Sequence, residues 1–488
     1  MRGSLSDPSF GRAKIKKRKV TGRCAQTAIG NAFAGSGPGT AGDGRQARHI
    51  AHGSSPRITA LSNPAPEYDD SHVDSRAAWI RLAIAVALGS IGGVGMWSVV
   101  VALPAVQEEF GVQRAGASFP YALAMIGFAF GGILMGRLAD RFGIVFPVVG
   151  GAFALALGYV LAGLSTSILQ FALAHGILIG FLGSSASFGP LIAEISHWFK
   201  KRRGIAVAVC ASGNYLAGTF WPPVVQFFID EAGWRATHMG IGVFCLVTML
   251  PLALALRKRA PALPEPTPGV VVANPAREGL GMSTGTLQTL LLIAGVSCCV
   301  AMAMPQVHIV AYCMDLGISA ARGAEMLSIM LAFGIVSRIA SGFIADRIGG
   351  LATLLLGSTL QGLALVLYVL FDGMAALYII SALFGLFQGG IVPSYAIVVR
   401  EYFPPKEAGM RVGIVLMATL FGMAFGGWLS GFIFDWTGSY DTAFLNGVAW
   451  NLVNIAIISF LLMRRGGMRL RRVDGGSASP GGVPATPI

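Results

Sequence analysis

The chain has 488 residues, 54% of them hydrophobic and 12% charged, with 66 glycines and a formal net charge of +13. Soluble domains carry about a quarter charged residues; here 22 of the 59 charges sit in residues 1–78 and 466–488, which leaves 37 across residues 79–465. That balance excludes an ordinary soluble enzyme, a disordered protein and a nucleic-acid-binding domain, and points to a polytopic membrane protein.

Along the chain, residues 1–78 form a basic extension rich in Gly, Ser and Pro, expected to be disordered and cytoplasmic. Its run Lys14–Lys19 reads as a solvated tail in preference to a targeting signal or an acidic-lipid contact. The extension has no apolar signal core. Twelve apolar stretches follow, near 79–103, 117–138, 144–164, 167–193, 204–228 and 237–256, then 285–311, 321–345, 351–371, 374–399, 409–433 and 442–463. Each is close to the roughly 20 residues that carry a helix through the hydrocarbon core. The pattern predicts an all-α membrane protein of twelve transmembrane helices. Prolines within the stretches do not break them, because neighbouring helices satisfy the freed backbone groups. Glycines four apart, such as Gly176/Gly180 and Gly422/Gly426, let helices approach closely. A cytoplasmic linker is expected over 258–284 and a disordered tail over 465–488.

Basic residues set the orientation. With both termini inside, the inner loops hold Arg137, Arg141, Lys200–Arg203, Arg257–Arg259, Arg347, Arg400, Lys406 and Arg411. The outer loops hold Arg114, Arg235 and Arg322 among nine acidic residues. The six cysteines show no ligand spacing, and no phosphate-binding loop occurs, so no metal, cofactor or direct ATP coupling is implied.

The chain repeats itself. Gly136-Arg-Leu-Ala-Asp140-Arg141-Phe-Gly143 returns as Gly342-Phe-Ile-Ala-Asp346-Arg347-Ile-Gly349, and Asp230 and Gly233 return as Asp435 and Gly438. Two parallel six-helix repeats follow, 79–257 and 285–464. Such repeats, related by an axis along the membrane normal, describe a major class of secondary transporter. With its G-x-x-x-D-R-x-G loop and echo, the region 79–464 resembles the major facilitator superfamily. The trailing basic residues usual in that motif are replaced by Ile144, Val145 and Phe146. The segments Val307–Ser319, Trp198–Ala206 and Gly426–Tyr440 are similar to bacterial monocarboxylate-transporter-like and oxalate-formate-type permeases. The resemblance implies a monomeric carrier of a small organic anion, coupled to protons or a counter-anion, with the lipid bilayer as its surroundings and no nucleic-acid partner.

Arg338 is the charge that topology does not explain. It precedes Asp346 by eight residues, roughly 12 Å into its helix, where a guanidinium costs around 3 kcal/mol or more and usually faces a cavity. Its helical neighbours Gly334, Ile335, Ser341 and Gly342 supply no acid. A planar fork of donors suits a carboxylate, and the resembled transporters place an Arg here for their substrate. They also carry an acid at the position of Gly334 and a Lys in span one or eleven, which this chain lacks. One central cation fits a monocarboxylate better than a dicarboxylate. A structural ion pair is the competing reading. Further substrate candidates are Asn214, Tyr215, Tyr121, Trp97 and Tyr395, as aromatic faces and polar tips in cavity-lining spans, with His175 and His308 as titratable groups. Helix packing or interfacial placement competes with substrate contact at each histidine. Asp140 with Arg141, and Asp346 with Arg347, flanked by Gly136, Gly143 and Gly342, are expected to form a gating latch, in which an Asp accepts hydrogen bonds from an adjacent helix N-terminus. Glu194 is expected to join Asp140 and Arg141. The competing functions are an exporter of amphipathic compounds and a non-transporting sensor.

Overall fold

The computed structural model describes residues 73–258 and 280–475. The run at Lys14–Lys19, nearly all of the extension, most of the linker and the last thirteen residues lie outside the described residues. Eleven helices are long and apolar enough to cross a membrane. They are Arg76–Phe110, Arg114–Phe142, Val145–Gly163, Ile168–Trp198, Arg203–Ala255, Thr284–Asp315, Ala320–Ile348, Gly350–Leu370, Met374–Tyr402, Lys406–Thr437 and Tyr440–Arg465. Arg203–Ala255, with 53 residues, would reach about 80 Å as one rod, more than twice the hydrocarbon core. Gly233 breaks it at φ 77°, ψ 159°, a conformation essentially reserved for glycine. The helix is therefore two spans back to back, 203–232 and 234–255. The twelve spans of an all-α membrane fold follow, and they are numbered first to twelfth below.

Local chemistry sets the ends. Ser75, Ser167 and Ser283 accept the first free backbone N–H groups of their helices through Oγ, a cap worth about 1 kcal/mol. Gly143 and Gly349 close the second and eighth spans at φ 83°, ψ 162° and φ 87°, ψ 161°. The two copies of the loop motif thus turn through the same backbone, one no side chain tolerates. The twelfth helix continues to Gly475, inside the stretch expected to be tail.

Alternation of direction gathers the loops on two faces. One face carries Arg141, Lys200–Arg202, Arg257 and Arg347; the other carries Glu108, Glu109, Asp230, Glu231, Asp315, Asp372 and Asp441. They are called the basic and acidic faces.

Two helices are irregular where backbones meet. The fourth span is α-helical over Ile168–Leu173, π-helical over Ala174–Gly183, 3-10 over Ser184–Ser187 and α-helical again over Gly189–Trp198. It lies on second-span glycines: a Cβ at Gly127 or Gly131 would fall 2.1 Å from the carbonyl oxygen of Gly176 or Phe181. The tenth span breaks at Gly389–Gly390, where Gly389 rests on the Gly334 carbonyl of the eighth.

Candidate functional site

The eighth span meets the fifth around Arg338. Its guanidinium carbon stands 3.9 Å over the Tyr215 ring, and one terminal nitrogen donates to the Ala211 carbonyl at 3.3 Å. Nε is buried with no acceptor, and no carboxylate lies within ion-pair distance among the described residues. Gly334 leaves the space that Tyr215 fills: a Cβ there would sit 2.3 Å from the ring. Trp97 of the first span donates to the Asn214 carbonyl at 3.3 Å and packs with Leu331 over Gly218. The Asn214 Oδ1 is buried without a donor. Tyr121 packs on Gly427 of the eleventh span. Arg338, Tyr215, Asn214 and Trp97 therefore meet where the first, fifth and eighth spans converge, and Tyr121 lies at the seam of the second and eleventh. One cation, an aromatic face and an orphaned amide oxygen can hold an anion and a short polar substituent. Cation–π attraction of order 1 kcal/mol offsets only part of the cost of holding this half-buried guanidinium.

Three expected contacts lie elsewhere. Tyr395 is fully buried and donates to Asn454 Oδ1 at 2.8 Å, inside the last six spans. His175 is fully buried with Nδ1 donating to the Phe171 carbonyl, its ring 5.6 Å from that of His238 and 6.3 Å from Tyr159. Its helix turns it into the third and sixth spans, away from Arg338. His308 donates through Nε2 to the Gly427 carbonyl at 2.7 Å and accepts from the Tyr440 hydroxyl at 2.9 Å. Both ring nitrogens are taken.

The expected Glu194 network is corrected. Glu194 pairs with Arg81 of the first span at 2.5 Å and accepts from the Trp198 indole at 3.1 Å. Arg81 also stacks 4.4 Å over Trp198 and donates to the Leu256 carbonyl. Asp140, Arg141, Asp346 and Arg347 are exposed. Arg141 lies over the Phe142 ring at 5.1 Å, and neither aspartate has a hydrogen bond or ion pair among the described residues. No neighbour lies within 4 Å of a Cβ at Gly136, Gly143 or Gly342.

The acidic face is closed by residues that motif reading passed over. The Arg114 guanidinium grips both Asp315 oxygens, at 2.8 and 3.0 Å. The backbone N–H groups of Arg114 and Ala115 donate to the two Asp435 oxygens, each at 2.8 Å. Within the last six spans, Gln306 of the seventh span donates to Gln388 Oε1 of the tenth at 2.7 Å, leaving the Gln388 Nε2 buried and unpaired. Paired amides in two apolar spans were the available signal. At the basic face, outside the membrane-spanning helices, backbone N–H groups of Lys201 and Lys200 hold the Asp74 carboxyl below its usual range.

Known proteins fit this geometry. The Major Facilitator Superfamily pattern matches residues 85–376 and 291–481. Monocarboxylate transporter 13 of Bos taurus is 29% identical over 348 residues, 69% of this chain and 78% of that protein. MFS transporter asaE of Aspergillus flavus is 27% identical over 290 residues, 59% of this chain and 63% of that protein. Among solved structures, a bacterial homolog of the human lysosomal transporter Spinster, inward-facing and unoccupied, superposes with a TM-score of 0.59 at 15% identity, covering 83% of this chain and all of that one; this supports the fold alone. These relatives are transporters, not enzymes. The chain is a multi-pass membrane transporter that belongs to the Major Facilitator Superfamily.

Proposed function

We propose that the protein is a secondary active transporter that carries a small organic anion, a monocarboxylate, by alternating access. Two six-helix halves, 79–257 and 285–464, rock about a central site. The basic face is cytoplasmic, as its Lys and Arg excess favours, and the membrane is the cytoplasmic membrane. Arg338 binds the carboxylate, Tyr215 covers the guanidinium, and Asn214, Trp97 and Tyr121 frame the rest of the substrate. The observation that carries this reading is a half-buried guanidinium whose Nε is buried and unsatisfied, with no carboxylate partner among the described residues. A structural ion pair would have supplied one. The 29% identity to a protein named as a monocarboxylate transporter supports the same substrate class.

The test is counterflow of labelled lactate, pyruvate and oxalate in proteoliposomes. Arg338→Gln is expected to lower monocarboxylate counterflow about a hundredfold, as loss of a charge-assisted bidentate contact implies. Arg338→Lys should recover only part, because an ammonium cannot reproduce the fork. Unchanged uptake in both variants would remove the reading. Uptake that follows an imposed proton gradient identifies symport; uptake that needs internal anion identifies exchange.

A further inference from the structure

The acidic face holds a cavity of about 320 Å³ that shares no residue with the group around Arg338. The ends of the seventh, ninth and eleventh spans and the start of the twelfth enclose it. Three carboxylates line it, Asp315, Asp372 and Asp441, together with the rings of Tyr312, Phe434 and Tyr440. Its volume is at the small end of the range for metabolite pockets.

One cation already uses this wall. Arg114 grips Asp315 through two contacts and stands 4.8 Å over the Phe434 ring and 5.8 Å over that of Tyr440. Asp315 is thereby neutralised. Asp372 and Asp441 have no ion pair among the described residues, so two negative charges are left on one cavity with aromatic walls. Low-dielectric walls focus the field of such a pair and raise the local concentration of cations. Aromatic faces add cation–π attraction.

Carboxylates alone name no ligand, but Tyr312 narrows the choice. It is 6% exposed, its ring packed edge-on against Tyr440 and Phe444 at 5.6 and 5.4 Å. Its hydroxyl makes no hydrogen bond among the described residues and opens on the cavity. A phenol so deeply placed normally finds a polar partner. A divalent metal needs oxygen ligands converging at roughly 2.3–2.6 Å, and among the described residues no three acidic, imidazole or thiol groups converge to hold one. A quaternary ammonium has no hydrogen to give the hydroxyl. A protonated primary amine carries three N–H donors on one charge, enough for both free carboxylates and the Tyr312 oxygen. Leu316 and Leu370 offer its alkyl part an apolar rim.

We propose that this cavity binds a protonated primary alkylamine, with Asp372 and Asp441 pairing its charge and Tyr312 accepting one N–H. The ammonium belongs either to a soluble amine or to an ethanolamine lipid headgroup. Binding here is independent of the carboxylate reading at Arg338.

The test is equilibrium binding of labelled n-butylammonium to the full chain in phosphatidylglycerol nanodiscs, at constant ionic strength and against empty discs. Saturable binding is expected; its absence would overturn the site. Asp372→Asn combined with Asp441→Asn should weaken binding about a hundredfold, and Tyr312→Phe about tenfold, the scale of charge-assisted hydrogen bonds. Tyr312→Phe removes an oxygen that bonds nothing in the fold, so its melting temperature should match that of the parent chain. Unchanged affinity in either variant would overturn the assignment. Tetramethylammonium competing as strongly as butylammonium, or calcium displacing it at equal ionic strength, would overturn the primary-amine class. Displacement by lactate would move the amine to the Arg338 site and overturn the proposal as well. With phosphatidylethanolamine added to the discs, a severalfold drop in butylammonium affinity identifies the lipid headgroup as the source, and no drop identifies a soluble amine; both results support the site.

Discussion

The acidic and basic ends of one helix pair, the second and eleventh spans, share their chemistry and differ in their contacts. At the acidic end a carboxylate is seated on two N–H groups, a guanidinium is paired and nearly buried, and Gly427 and Gly431 are covered. At the basic end Asp140 stands in the open, and Gly132, Gly136, Gly409 and Gly413 face space. The residue types for a tight seam are present at both ends, yet only one seam is made. Packed interfaces have discrete arrangements and do not deform continuously. A pair equipped at both ends and closed at one is the expected form of a two-state element.

That comparison can be broken at single glycines. Gly431→Leu places a Cβ 2.8 Å from the Arg114 carbonyl oxygen; overpacking should destabilise the closed acidic face by about 2–3 kcal/mol, read as labelling of an introduced cysteine at Ser118 from the acidic side. Gly136→Leu has no such neighbour and should leave the present state intact while blocking closure of the basic face. Transport should stop in both, with opposite labelling patterns. If both variants label alike, the two ends are not alternatives. A smaller loss, about 1–3 kcal/mol of stability, is expected for Gln388→Leu, which strands the Gln306 amide; a thermal melt in detergent reads it, and Gln388→Leu with Gln306→Leu should recover part. Trp97→Phe removes the donor to the Asn214 carbonyl and should weaken substrate affinity by about 1 kcal/mol, visible in the KM of counterflow.

The smallest effect belongs to pH at the basic face. Because the Asp74 carboxyl titrates lower in the folded chain than when free, its contribution is present above the ordinary carboxylate range. It is lost as pH falls through the lowered folded value. Hydrogen exchange at the Lys200 and Lys201 amides should quicken there, and Asp74→Asn should show that faster exchange at neutral pH. Exchange unchanged by the variant would detach Asp74 from those amides.

The spans, the repeat and the isolation of Arg338 were legible because hydropathy and rare charge are one-dimensional signals. Depth along a helix was legible as well, from 1.5 Å per residue. What a list of depths lacks is azimuth. His175 lies at a plausible depth, but its ring points into the third and sixth spans; Glu194 lies near the level of Arg141, but faces Arg81. Tyr395 is in a cavity-lining span and on its buried side. Arg114 and Asp435 looked like ordinary loop charges because their match crosses 321 residues of sequence. Gln306 and Gln388 went unnoticed for a related reason: a neutral amide stands out only once its partner is in view.

The fourth span carries one further consequence. A π-helical run uses i→i+5 bonds where an α-helix uses i→i+4, so residues 174–183 hold more chain than an α-helix of the same rise requires. The span therefore has slack. Deleting one residue within Ala174–Gly183 should be absorbed by regularising the helix, with the ends near Ser167 and Trp198 left in place. The same deletion in the regular eighth span has nothing to draw on and would swing everything beyond it, Arg338 included, by about 100° around the axis.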